Sequence, residues 1–141
     1  MKNQEFFNKI SFYFENAPTR THKQTDEIFI RKIRSYLDQL KPQKIWIEKG
    51  ITNKYLKVNV FPDFVITLGS KLIACEVEKS NIVAKFDLYR HIKFFDEIWF
   101  FTNIPIEKDW LHYKLQNNLK KCQKFFGLNE KGEVVLIKEI H

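Results

Sequence analysis

Residues 58–80 read VNVFPDFVITLGSKLIACEVEKS, and the fold is decided there. Two apolar runs flank Gly69-Ser70. That is the mark of a two-residue hairpin turn, because glycine accepts the positive φ such a turn requires. In this register Leu68 faces Lys71, Ile66 faces Ile73 and, farther from the turn, Asp63 faces Glu76. Residues directly opposed in an antiparallel pair have Cβ atoms about 4.5–5.5 Å apart. Glu78 joins Glu76 on one face, since strand side chains alternate. Phe64, Ile66, Leu68, Ile73, Cys75 and Val77 form a core face. Asp63, Val65, Thr67, Leu72, Ala74, Glu76 and Glu78 form the other. A bulge at Pro62 would undo the pairing.

Opposed like charges destabilise a sheet unless something positive lies between them. Three carboxylates gathered at one strand end are hard oxygen ligands of the kind that suit Mg²⁺ or Mn²⁺. A salt-bridge network with Lys49, Lys79 or Lys85 would answer the same repulsion. The spacing leaves both open.

Outward from the hairpin, the pattern is that of a mixed α/β domain. Phe6, Phe7, Ile10 and Phe14 recur at helical spacing within Glu5 to Phe14, and Asn16-Ala17-Pro18 ends that helix. A longer helix runs from Thr21 or Thr25 to Leu40 on the stripe Phe29, Ile33, Tyr36, Leu37 and Leu40, with Pro42 beyond it. Ile45 to Glu48 is a short strand closed by Lys49-Gly50, and a polar loop holds Asn53 and Lys54. Val58 to Leu68 and Lys71 to Glu78 are the hairpin strands. A helix from Asn81 to Phe95 places Ile82, Phe86, Tyr89 and Ile92 on one face. Glu97 to Thr102 is a buried strand. Leu111, Leu115, Leu119 and Cys122 predict a helix from Glu107 to Cys122, with Lys114, Lys120, Lys121 and Lys124 on its polar side. The tail forms a hairpin whose second strand is Glu133 to Ile137. The order is α-α-β-β-β-α-β-α-β around a central mixed sheet flanked by helices, one domain over residues 1–141.

The 141 residues are 44% hydrophobic and 29% charged, an ordinary globular composition. No apolar stretch approaches the roughly 20 residues of a membrane span. The opening MKNQEFFNKISFYFENAP contains acids and lacks the apolar block of a secretory signal. Cys75 and Cys122 have no metal-binding spacing, and Cys75 reads as a small buried hydrophobe. The expectation is a cytoplasmic protein away from any membrane. The net charge is +7, with 24 Lys and Arg against 17 Asp and Glu. That surplus suits a polyanion, although the chain's lysine-rich composition accounts for it as well. Trp46, Trp99 and Trp110 read as core rather than as base-stacking residues.

The hairpin resembles the PD-(D/E)xK nuclease superfamily. Pro62-Asp63 stands as the "PD", and Glu76-Val77-Glu78 occupies the (D/E)xK place on the next antiparallel strand. The likeness covers about Thr21 to Asn103 and implies a restriction-endonuclease-like α-β-β-β-α-β core. Closer still is a similarity to the nuclease-like domain of the replication-relaxation (plasmid mobilisation) family. Its pattern is matched by His22 and Asp26, Glu48, Pro62-Asp63, Glu76-Val77-Glu78, and Tyr89 in the following helix. Members of that family usually begin with a winged-helix domain, which has no counterpart here.

The resemblance implies a Mg²⁺- or Mn²⁺-dependent DNA endonuclease linked to mobile-element DNA. Asp63 and Glu76 would be metal ligands and catalytic residues, with Glu48 completing a second metal site. Glu78 stands where the family has lysine and would act as a third ligand or general base. Lys79, beside it, or Lys85 would serve as the displaced lysine. Lys85, Arg90 and Lys93, off the apolar stripe of their helix, and His22 near a helix start would contact phosphates. The partners implied are DNA and a second copy of the chain or another protein of a DNA-processing complex. The alternatives are an inactive DNA-binding or relaxation accessory protein of the same fold, and a protein-interaction domain.

Overall fold

Gly69 adopts a φ of +63°, and the turn it opens joins β4 (Phe64–Leu68) to β5 (Lys71–Val77). The register is the expected one: Leu68 faces Lys71, Ile66 faces Ile73 and Phe64 faces Cys75, with no bulge. The computed structural model describes residues 2–19, 27–53, 58–77, 89, 92, 95–103 and 121–140. Among them β4 pairs antiparallel with β1 (Lys44–Ile47). On the other side β5 pairs parallel with β6 (Glu97–Phe101), and β6 pairs parallel with β7 (Cys122–Leu128). An antiparallel edge strand, β8 (Val134–Ile140), completes a six-stranded mixed sheet in the order β1-β4-β5-β6-β7-β8. Asp96 pins β6 against β5. Its N–H donates to the Leu72 carbonyl, and its carboxylate accepts the Leu72 N–H, both at 2.8 Å.

Both faces of the sheet are core. On one, α2 (Glu27–Gln39) lays Phe29, Ile33 and Leu37 over Phe64, Ile66, Ile73, Cys75, Trp99, Phe101 and Phe126. On the other, α1 (Lys2–Asn16) packs Ile10 and Phe14 with Tyr89, Ile92 and Phe95 over Trp46, Val65, Leu72, Ala74, Ile98, Phe100 and Phe125. Phe14 and Trp46 meet with ring centroids 5.0 Å apart. The face of the hairpin that carries Asp63 and Glu76 is therefore a second interior. Parallel strands need crossover connections, and these leave a sheet covered on both sides. Cys75 is fully buried, as are Trp46 and Trp99 to within a few per cent. No helix of the described residues is long and apolar enough to cross a membrane.

Several boundaries differ from expectation. Val58 to Leu68 is not one strand. β3 (Val58–Val60) leaves the main sheet and pairs antiparallel with β2 (Ile51–Asn53), which replaces the polar loop expected at Asn53. Pro62, with no N–H to give a ladder, stands at the crossing between the two sheets. Cys122 opens β7 instead of closing a helix, and Lys124 is a strand residue whose ammonium lies 5.0 Å from the Trp99 ring centroid. From Gln123 on, alternation of period two overrides the helical spacing. Lys121 donates to the Ile92 carbonyl, and burial lowers its pKa to about 8. The final strand runs from Val134 to Ile140 rather than from Glu133 to Ile137. Tyr89 is helical, and the rest of the segment 78–94 lies outside the described residues apart from Ile92. So do residues 104–120, where the last helix was expected.

Glu97 ties three strands together from the start of β6. Its buried carboxylate takes a 2.9 Å ion pair from Lys71 on β5, a 3.0 Å hydrogen bond from Trp99 Nε1 and a 3.8 Å contact from Lys124 on β7. Burial pushes this carboxyl up. The bonds from Trp99 and Lys71 and the charge of Lys124 outweigh it, so its pKa lies below the ordinary 4.5. A carboxyl with a depressed folded-state pKa stabilises the fold above its unfolded pKa, and that stability is lost as pH falls through the folded value. Glu97→Gln should therefore cost about 2 kcal/mol at pH 7, the worth of a charged hydrogen bond. Urea unfolding of both proteins at pH 7 and again at pH 3 should show the difference shrinking at the lower pH.

Candidate functional site

The acids meet where β1, β4 and β5 end together. The β1–β4 register, carried one step past Ile47–Phe64, sets Glu48 beside Asp63, and the Glu48 N–H donates to the Asp63 carbonyl at 3.3 Å. The β4–β5 register, carried one step past Phe64–Cys75, sets Asp63 beside Glu76. Glu48, Asp63 and Glu76 thus form a row across three neighbouring strands. All three are buried, at 8, 7 and 1% exposure, depths that carboxylates reach only with compensating contacts.

Two of those contacts define the site. Asp63 Oδ2 accepts the Val77 N–H at 2.8 Å. Pro62 would face Val77 if the ladder continued, but the chain is already turning toward the small sheet there, so the Asp63 side chain takes the N–H instead. Glu76 Oε1 accepts the Tyr89 hydroxyl at 2.5 Å. Burial raises the Tyr89 phenol well above its usual pKa of 10, and the Glu76 charge and hydrogen bond add to the effect. The phenol therefore stays protonated and a donor at any ordinary pH. Burial likewise raises the Cys75 thiol, reinforced by Glu76 and Asp63, so Cys75 stays a neutral core group.

The loop that presents Glu48 is tightly built. Glu48 has a φ of +57°, the left-handed region that side chains with a Cβ enter at a cost. The Gly50 N–H donates to the Pro18 carbonyl at 2.7 Å, and Thr19 bridges Lys49. A Cβ on Gly50 would stand 2.8 Å from the Phe61 ring and 2.9 Å from Pro18, so only glycine lets the segment after α1 and the approach to Pro62 close here. The Lys49 ammonium reaches the Ala17 carbonyl at 3.5 Å, which ties down the same loop.

As hard donors, Asp63 and Glu76 suit a small divalent cation. Among the described residues no three His, Cys, Asp or Glu side chains form a group able to hold a metal ion. A cation here would be met by a carboxylate pair and completed by water or phosphate oxygens, the ordinary manner of Mg²⁺. Glu78, Lys79, Lys85, Arg90, Lys93 and His22 lie outside the described residues. Tyr89 was placed by pattern on an apolar helix face. The family resemblance also singles out Tyr89, but its bond to Glu76 is signalled only by the hydroxyl, which a buried tyrosine has to satisfy.

Glu48→Gly and Glu48→Ala both delete the side chain, but only glycine is at ease at this φ. The glycine variant should be more stable than the alanine variant by about 1 kcal/mol. Chemical denaturation of the two measures it, and an alanine variant of equal stability would contradict the left-handed turn. Compared with family models, curated proteins and solved structures, the chain has no match, so the site is read from its own geometry.

Proposed function

We propose that the chain is a DNA endonuclease of PD-(D/E)xK type, dependent on Mg²⁺ or Mn²⁺, with likeness to the replication-relaxation family. The observation that carries this reading is the hairpin register, which brings the "PD" aspartate and the first acid of Glu76-Val77-Glu78 side by side at one strand end. The sheet around it supports the same reading: three antiparallel strands followed by a parallel one, with a buried helical residue, Tyr89, between β5 and β6. When bound, a divalent cation would offset negative charge on the phosphate and make a water molecule more acidic. The chain's own part is to hold that charge in place. Asp63 and Glu76 present carboxylates whose orientation is set by Val77 and Tyr89, and the buried walls limit competing water. The surplus of +7 supplies attraction for the DNA backbone.

One sequence observation favours a second reading. Glu78 replaces the lysine that usually orients the attacking water, as a non-catalytic DNA-binding domain of the same fold would allow.

Supercoiled plasmid incubated with the protein and Mn²⁺ or Mg²⁺ should be nicked. Asp63→Asn and Glu76→Gln should each lower the rate at least about a hundredfold while still retaining DNA in a salt-sensitive manner. DNA retention by all three proteins without cleavage would favour the binding domain. Neither cleavage nor retention would refute both.

A further inference from the structure

Between α2 and the sheet lies a cavity of about 380 Å³. Lys71 and Glu97, which open β5 and β6, line it, so it sits at the other end of those strands from Glu76. Its walls are apolar and largely aromatic. Trp99 and Phe126 are almost fully buried on the sheet side, with ring centroids 5.3 Å apart, and Tyr36 of α2 meets Phe126 at 5.2 Å. Leu136 of β8 forms an exposed part of the wall. Pockets for small molecules have this character: about 300–1,000 Å³, mostly apolar, with a few polar groups that fix orientation.

The polar groups decide what such a molecule must bring. Glu97 is already engaged, by Lys71 at 2.9 Å and by Trp99 Nε1 at 3.0 Å. Lys124 differs. Its ammonium stands 3.8 Å from Glu97 and 3.9 Å from Glu139, beyond hydrogen-bond length, on a side chain only 25% exposed. The hydroxyl of half-buried Tyr36 likewise has no hydrogen-bond partner among the described residues, and burial raises its pKa, so it stays a donor. Lys71 and Lys124 balance Glu97 and Glu139 in charge, so the unmet groups, rather than a net field, set the choice. Both are donors. A carboxylate can accept from an ammonium and from a phenol at once, and aromatic walls suit a flat ring attached to it. We propose that this cavity binds a small aromatic carboxylate, its ring against Trp99 and Phe126 and its oxygens on Lys124 and Tyr36. The proposal is independent of the acids at the other end of the strands.

Titration calorimetry of the full chain with cinnamate, neutral cinnamyl alcohol and cationic cinnamylamine reads the effect without reference to DNA or metal. Wild type should bind cinnamate most tightly of the three. Lys124→Met keeps an apolar stem and removes the ammonium. In that variant the ratio of cinnamate to cinnamyl alcohol affinity should fall at least about tenfold, the scale of a hydrogen bond to a charged group. Leu136→Trp enlarges an exposed side chain into the cavity and should abolish cinnamate binding. A wild-type protein that binds no cinnamate, or binds cinnamylamine as tightly, overturns the proposal whether or not a variant folds. So does a Lys124→Met protein with a wild-type melting curve and an unchanged ratio. Cinnamate binding by Leu136→Trp at wild-type affinity would place the ligand elsewhere and overturn it too.

Discussion

The hydrogen bond from the Val77 N–H to Asp63 Oδ2 is the constraint on which the candidate site depends. It stands where the next rung of the β4–β5 ladder would be, and a side chain supplies it because the backbone is leaving the sheet at Pro62. An aspartate that ends a strand in this way cannot point into solvent. Its carboxylate is drawn across to β5, next to Glu76, and the strand end gathers buried acids. The unfavourable proximity of two acids thus follows from satisfying a buried backbone donor, which has few other options.

The surrounding structure maintains that arrangement. Gly69 fixes the register from the far end of the hairpin, and Asp96 locks β6 onto β5. Gly50 allows Pro18 and Phe61 to close over the loop that carries Glu48. Tyr89 reaches Glu76 from the segment between β5 and β6, so the site draws on both the antiparallel and the parallel parts of the sheet. At the opposite end of these strands Glu97 gathers Lys71, Trp99 and Lys124. One end of the sheet is braced by an ion-pair network, and the other carries Glu48, Asp63 and Glu76.

The hairpin and its register were legible in the sequence because Gly69-Ser70 and strict alternation are local signals. The helix carrying Phe29, Ile33 and Leu37 was legible for the same reason. The interior nature of the acid-bearing face was not. Val65, Leu72 and Ala74 are apolar, but nothing local says that α1 and Tyr89 lie over them. The split at Pro62 was foreseen only as a hazard, since a proline marks where a ladder breaks and not where the chain goes next. Cys122 fitted the apolar stripe of a helix by spacing and Lys124 its polar side, and tertiary pairing with β6 and β8 decided otherwise. At the site, Asp63 and Glu76 came from register arithmetic. The Tyr89 bond did not, because a hydrogen bond across the crossover is a long-range fact.

The central claim is that Asp63 and Glu76 share one divalent cation at the end of the β4–β5 hairpin. Anomalous diffraction from crystals soaked in MnCl₂ tests it most directly. The account predicts a manganese peak bonded to carboxylate oxygens of both residues. Well-ordered side chains with no peak between them, or a peak bound only elsewhere on the molecule, would contradict it.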